Sequence, residues 1–308
     1  MWSDHGSPYS RHDFTQPQLF ACLVLRESLR LSYRKTEAFL TDVPHWLAAI
    51  GMARAPDHNT LWRVFAQLLK PRKVKRALDL MARDAESELR RDLRAKPLSI
   101  DSTCYEPHHR SRHYDRVCRK MDLKPGQKYA INLGKYGKAV NASRSRKLKR
   151  MPKLALATAA ASHRILAAKA SIGSGSDAPD FDPLLFHAWR RAKVRTVVAD
   201  AGYDSESNHR LARLDMSVRS IVPPRIGRPT SKAPTGYYRR LMKQRFARKA
   251  DARAYGQRSQ SETVNSMMKR NLSECLRSIK PCRRKQEMLL RTLTHNLMLG
   301  RQKCEGRD

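Results

Sequence analysis

Acidic residues are scarce in this chain of 308 residues: 28 Asp and Glu stand against 63 Lys and Arg, a formal net charge of +35. Long apolar runs are missing too. None approaches the ~18–20 residues of a membrane span. The opening Met-Trp-Ser-Asp-His-Gly-Ser-Pro has neither a basic start nor an apolar stretch, so no secretory signal is expected. Six cysteines, at 22, 104, 118, 275, 282 and 304, form no C-x-x-C pair. That disfavours a zinc ribbon or a disulfide scaffold and fits a reducing cytoplasm. The G-x-x-x-x-G-K-[ST] phosphate loop is absent, and Gly134 with Gly137 does not replace it. No internal repeat of about 20–50 residues is visible.

What is present is a core former with an unbalanced charge. A hydrophobic fraction of 40% argues against an all-disordered chain. At roughly 150 residues per domain the length suggests two domains. The excess positive charge calls for a polyanion, and nucleic acid is the natural one. The charge is also clustered. The segment 135–153 holds eight basic residues, Lys147 and Arg150 among them, and no acid. The segment 225–249 holds nine, including Arg239 and Arg240, again with no acid. Tyr237, Tyr238 and Phe246 lie in the second tract, placed either to stack on bases or to pack in a core. Contacts from such tracts mostly meet phosphates, so they do not specify a sequence.

The organisation reads as helices followed by a sheet. Residues 17–94 carry helical spacing: Phe20, Leu23, Leu25 and Leu29, then a stretch from Thr36 to Ile50 interrupted by Pro44. Pro56 to Thr60 supplies turn and cap residues before Leu61 to Phe65, and Lys73 to Leu93 reads as one further helix. Such a module suits either a DNA groove or a packing role. Beyond Lys96-Pro97 the pattern changes. Strands are expected at 98–103, 154–161, 164–172, 194–200 and 218–222, with helices at 181–191, 205–214, 252–272 and 283–299. That order gives an α/β domain over 96–308, a central sheet covered by helices, behind an N-terminal helical module over 1–95.

Two carboxylates sit in matching places. Asp101 follows Leu98-Ser99-Ile100, and Asp200 closes Val194 to Ala199. Ligands in α/β sheets collect at strand ends, so two such aspartates can share divalent ions. A lone aspartate there is as readily a cap. A third piece is Tyr255-x2-Arg258-x3-Glu262-x6-Lys269. At about 100° per residue, with Tyr255 at 0°, Arg258, Glu262 and Lys269 fall near 300°, 340° and 320°. Val264, Met267 and Met268 lie on the other side. One acid among two cations and a tyrosine suits a metal-binding carboxylate with phosphate-binding neighbours. The wheel does not say whether this stripe faces the two aspartates.

These motifs together resemble the DDE transposases of bacterial insertion sequences. Tyr255, Arg258, Glu262 and Lys269 match the signature of the insertion-sequence-four group without a gap, and Asp-Ala-Gly-Tyr-Asp at 200–204 and Pro-Asp-x-x-Thr at 56–60 are similar to family stretches. The resemblance covers roughly 15–300. Some members insert strands before the Glu. Here 61 residues separate Asp200 from Glu262, as in a compact member.

The resemblance implies an RNase H-like core with Asp101 on the first strand, Asp200 on the fourth and Glu262 on a helix beside them. It implies that these three residues are catalytic and bind Mg²⁺ or Mn²⁺, and an oxygen-only donor set agrees with such hard cations. Two ions ~4 Å apart serve an in-line displacement: water cuts the element's ends, and the freed 3′-OH joins target DNA. Tyr255, Arg258 and Lys269 would hold phosphates, with Arg270, Lys147, Arg150, Arg239 and Arg240 as further DNA contacts. The partners would be double-stranded DNA, namely inverted-repeat ends and target, bound by a dimer on paired ends at the cytoplasmic nucleoid, with no membrane. The alternatives are an RNase H-like nuclease or resolvase without strand transfer, and an inactive basic DNA-binding protein. His108, His109, His113 and Asp115 read as a DNA-touching loop rather than a zinc site, since no Cys joins them at a finger interval. Asp204 is expected to cap the helix after it.

Overall fold

The computed structural model describes residues 13–108, 151–173, 175–224 and 234–305. The tract 135–150 with Lys147 and Arg150, the residues His109, His113 and Asp115, and residues 225–233 lie outside the described residues.

Six helices lead: α1 Gln16–Ser28, α2 Tyr33–Asp42, α3 Pro44–Ala49, α4 His58–Leu68, α5 Pro71–Asp84 and α6 Glu86–Ala95. Local chemistry starts them. Thr15 and Gln18 form a reciprocal capping box on α1. The Ser32 and Asp57 side chains accept from backbone N–H groups at the starts of α2 and α4. Pro44 and Pro71 stand in the first turns of α3 and α5, where a missing N–H costs nothing. The segment expected as one helix over 73–93 is two, broken at Ala85. The break has a packing reason. Val74, Ala77 and Leu78 belong to a core among the N-terminal helices, whereas Ala82, Ala85, Leu89 and Leu93 belong to the core under the sheet. The change of core begins at Ala82, in the last turn of α5, and the break follows it.

The sheet follows, with β1 Leu98–Cys104, β3 Pro152–Ala159, β4 Ile165–Ile172, β5 Thr196–Ala199 and β6 Arg219–Ile221 in the order β4-β3-β1-β5-β6. It is mixed: β1 pairs antiparallel with β3 and parallel with β5. The β3–β4 hairpin turns at Ser162 and His163 as expected, His163 at a φ of 60°. Between β4 and β5 runs α7, Ala178–Arg191, packed on β4 and β3. After β5 come α8 Glu206–Arg210, widening into a π turn over Leu211–Asp215, then α9 Tyr237–Ala247, α10 Ala252–Gly256, α11 Ser259–Leu272 and α12 Pro281–Glu305. The expected helix over 252–272 is therefore interrupted at Gln257 and Arg258. Two features had no sequence expectation: α9, and a parallel pairing of β2 Glu106–Pro107 with β7 Cys275–Leu276.

The long α12 joins the N-terminal helices to the sheet. Leu289, Leu290 and Leu293 sit in the same core as Leu23, Leu40, Leu61 and Phe65 of α1, α2 and α4. Met288, the residue before Leu289, packs under α11 with Val264 and Met268. Burying one such side chain stabilises by about 1.5–3 kcal/mol. Helices α1 to α5 thus share a core with the C-terminal helix. Among the described residues no helix is long and apolar enough to cross a membrane.

Candidate active site

The β1–β5 register brings the two aspartates together. Leu98, Ser99 and Ile100 stand opposite Val197, Val198 and Ala199. Asp101 and Asp200 are the residues that directly follow this last pair on each chain segment, and the Asp200 charge reaches Asp101. Both strands carry apolar residues up to this point because the sheet is buried there; the chain after Ala199 then leaves the sheet. Asp200 caps the short helical turn 201–203, its Oδ1 accepting from the Ala201 N–H at 2.7 Å. Its other oxygen is left to the open side, where the residue is exposed.

Helix α11 runs along β1 and completes the group. The Ser99 hydroxyl donates to the Arg258 carbonyl at 3.4 Å. The Asn265 side chain donates to Asp101 Oδ2 at 3.2 Å. Further along, the Lys269 ammonium lies 5.6 Å from the centre of the Tyr105 ring. Val264 and Met268 are buried in the core beneath, which fixes the helix's roll and leaves Glu262 on the outer face. Glu262 accepts from Arg258 at 2.7 Å, and Arg258 lies 6.0 Å from the Tyr255 ring. The interruption at 257–258 is tightened by i→i+3 bonds from Arg258 to Tyr255 and from Ser261 to Arg258. It keeps Tyr255, Arg258 and Glu262 on one side although the helix is not continuous.

The charges feel one another. Burial raises the Asp101 pKa. The Ser102 N–H and Arg258 pull it down, and the charges of Asp200 and Glu262 push it up again. Burial likewise raises Tyr255, which senses Arg258, Asp200 and Glu262. Burial opposes the charge on Arg258, but its bond to Glu262 and the charges of Glu262, Tyr255 and Asp101 together raise its pKa. The three acids therefore share one electrostatic neighbourhood. Their oxygens do not converge: among the described residues, the His and carboxylate group whose ligand atoms lie within 4.8 Å of one another is Glu37, Asp57 and His58, far back in the N-terminal helices. In that group His58 Nδ1 is already bonded to Glu37 at 2.7 Å.

Residues that sequence reasoning missed surround the aspartates. Asn265 falls near 280° on the wheel used above, beside Arg258, so its contact with Asp101 was readable. The brace behind β1 was not. The Ser102 hydroxyl donates to Asp177 Oδ1 at 2.8 Å, and buried Lys153 bridges Asp177 at 2.6 Å and Asp180 at 2.9 Å. Tyr203 is buried beneath, its pKa raised by burial and by the charges of Asp177 and Asp101.

The basic candidates separate into two kinds. Arg270 and Arg240 are exposed, and Arg240 Nε donates to the Gly236 carbonyl at 3.1 Å. Arg239 is engaged inside the protein. Its Nε and Nη2 donate to Asp204 Oδ2 at 3.0 and 2.8 Å. Asp204 is buried there, with His209 Nε2 at 3.7 Å, so it braces α9 and does not cap α8. Ser205 holds the cap position instead. Glu206 accepts from the backbone N–H groups of Tyr238 and Arg239, capping α9 across the loop. Its carboxylate occupies the space beside Gly236, whose φ of 96° and crowded Cβ position both call for glycine. Of the aromatics in the tract, Phe246 packs edge-on to Tyr255, Tyr238 lies under Arg213, and Tyr237 remains exposed.

No curated protein matches the chain. A solved structure, a pre-cleavage Mos1 transpososome, is similar at 11% identity with a TM-score of 0.23, over 97% of this chain and 81% of that one. That likeness is too slight to carry weight. The family comparison is of another order, matching the Transposase DDE domain over residues 94–297, from the end of α6 to the middle of α12. The match takes in the strands bearing both aspartates and the helix bearing Glu262, and the chain belongs to the Transposase DDE domain family.

Proposed function

We propose that the chain cuts the ends of an insertion sequence and joins their 3′-OH groups to target DNA, with Asp101, Asp200 and Glu262 as the catalytic, metal-binding carboxylates. The observation that carries this reading is the β1–β5 register. Asp101 and Asp200 directly follow its last pair, at the C-terminal ends of two neighbouring interior strands, and the Glu262 charge on α11 reaches Asp101. The sheet order supports an RNase H-like core, with the first strand central, the β3–β4 hairpin on one side and β5–β6 on the other. The reading further assigns the chain to the insertion-sequence-four group.

The donor set fits Mg²⁺ or Mn²⁺. It is made of carboxylate oxygens alone, with no sulfur or imidazole donor in the group. When bound, such ions supply Lewis-acid stabilisation of the attacking and leaving oxygens. The remaining work belongs to the chain. Asn265 orients Asp101 through its 3.2 Å bond to Oδ2. The Ala201 N–H does the same for Asp200. Arg258 pairs with Glu262 at 2.7 Å, and Glu262 would be one of the residues holding the ion. The planar donors of Arg258 suit a phosphate's oxygens, while Lys269 and Arg270 give point and fork contacts further along α11. Tyr255 lines the approach. Arg240 adds a backbone contact from α9, whereas Arg239 stays with Asp204 as a brace. The N-terminal helices 1–95 are assigned to the element's end, and a dimer would hold paired ends.

The test uses the purified chain, Mg²⁺ and DNA carrying the inverted repeats that flank its gene. Joined products are expected. Cleavage without joining would favour a nuclease or resolvase, and binding without either would mean an inactive DNA-binding protein.

A further inference from the structure

We infer that the face at the other end of the strands, made by α6, the end of α7 and the lead-in to β5, is a docking surface for the phosphate backbone of duplex DNA. This inference rests on the DNA-processing reading and adds to it a contact surface apart from the carboxylates.

Two cavities of about 600 and 720 Å³ lie side by side there, sharing Arg94 and Arg195 in their walls. The first opens at the N-terminal ends of β1, β5 and β6, between Pro97, Thr196 and Arg219. Asp101 and Asp200 lie toward the C-terminal ends of β1 and β5. The groove and the two aspartates therefore lie at opposite ends of these strands, and the groove's wall reaches Ala254 and Gln257 beside Tyr255 and Arg258.

The lining is cationic beyond what its own acids offset. Glu86 is taken by Arg90 at 2.6 Å. Asp251 is taken by Arg219 and Arg245. Arg191 is spent on Asp79 at 2.7 Å and on the Leu166 carbonyl. Arg253 of α10 is exposed beside the first cavity, and six further cations remain on the two banks: Arg91, Arg94, Lys96, Arg190, Lys193 and Arg195. All six are exposed, and among the described residues none has a carboxylate within 4.0 Å. Three come from α6 and the turn after it, and three from the α7–β5 connection, so the cations flank the groove from two elements. Six uncompensated charges crowded on rigid helix ends and strand starts repel one another unless a polyanion supplies the counter-charge. Trp189, 42% exposed in the wall of the second cavity, offers an apolar plate beside them that suits a sugar edge. A regular row of phosphates fits a groove with cations on both banks. Because such contacts go to the backbone, the surface would be indifferent to sequence.

The experiment compares the full chain with the triple variant Arg94→Gln, Lys193→Gln, Arg195→Gln, using a random-sequence duplex followed by fluorescence anisotropy over a salt series. Each lost phosphate contact lowers the salt slope by about 0.9, so the variant's slope should fall by about 2–3 and its affinity about tenfold or more at moderate salt. The three positions are exposed, and unchanged thermal melting will show that the variant is folded. In the wild type, duplex DNA should protect Lys96 and Lys193 from acetylation. An unchanged slope and affinity in the folded variant would overturn the inference, as would full reactivity of both lysines in the DNA complex. A fall in binding to a structured RNA or to anionic vesicles alone, with duplex binding intact, would overturn it as well. If the wild type binds no duplex at all, it is the DNA-processing reading that fails.

Discussion

Two clusters of opposite charge sit a few turns apart along α11 and α12, and they are built on opposite principles. In one, Arg291 is fully buried. Its Nε donates to Glu27 at 2.8 Å and its Nη2 to Glu287 at 3.1 Å, while Ser273 and Cys275 carbonyls accept at 2.6 and 2.8 Å, and Tyr105 lies 5.1 Å from the guanidinium. Glu287 also caps the backbone N–H groups of Arg277 and Ser278. All three guanidinium nitrogens of Arg291 donate to oxygens. In the other cluster, three carboxylates share a neighbourhood with one bonded cation and one amide, and Asp200 and Glu262 stay exposed. Charge that is satisfied internally holds α1, α12 and the β7 strand in place. Charge left with open valence is available to a ligand. Since buried ion pairs gain little net stability over apolar packing, the first cluster's use is to fix which helix meets which.

Breaking the open cluster should have the largest effect on chemistry. Asp101→Asn, Asp200→Asn and Glu262→Gln are each expected to lower DNA cleavage by at least about 10²–10³-fold, the scale on which one preorganised electrostatic group acts. Duplex affinity should be nearly unchanged, measured on the same protein by anisotropy. Full cleavage by any one variant would remove that residue from the site. Breaking the closed cluster should do the reverse. Arg291→Met leaves Glu27 and Glu287 buried without their cation and is expected to cost about 3–5 kcal/mol by denaturant unfolding. The fraction still folded should cut DNA at the wild-type rate.

A smaller effect sharpens the boundary between the two. Asn265→Ala frees Asp101 Oδ2 without removing an acid. Divalent-ion affinity should weaken about 10–100-fold, as for groups that orient a ligand, with folding stability little changed. The smallest effect concerns Asp251, a buried acid that pairs with Arg245 and Arg219. The Arg245 hydrogen bond holds its pKa below the usual 3.8. A depressed carboxylate contributes stability that is complete above the unfolded value and is lost as pH falls through the folded one. Asp251→Asn should therefore be less stable than wild type at neutral pH, and the gap should close as melts are taken down the acid limb. A gap that stays constant with pH would show that the Asp251 charge plays no part.

The sequence carried the sheet and its carboxylates well, because strand ends announce themselves locally. Leu98-Ser99-Ile100 and Val197-Val198-Ala199 are short apolar runs, each followed by an Asp and small residues, and the His163 turn sits between two obvious strands. Helix interruptions were less legible. Nothing local marks Ala85 as a break; it follows from two cores lying on different sides of one segment. The Arg239–Asp204 pairing is similarly tertiary, joining residues 35 apart in the chain. A basic tract read as free charge is thus partly spent inside the protein. The shared core of α12 with the N-terminal helices escapes any linear reading, since its contacts bridge Leu23 and Leu290. At the candidate site, periodicity aligned Arg258 with Glu262 even though the helix is broken between Gly256 and Ser259. The i→i+3 turn there preserves the side on which they fall.

The central claim, that Asp101, Asp200 and Glu262 bind the divalent ions of the reaction together, is tested most directly by anomalous scattering from Mn²⁺-soaked crystals of the full chain. Density for Mn²⁺ enclosed by these three carboxylates, absent in Asp101→Asn, is the predicted result. Mn²⁺ found at Glu37, Asp57 and His58 instead, with the three acids bare under conditions where the protein cuts DNA, would contradict it.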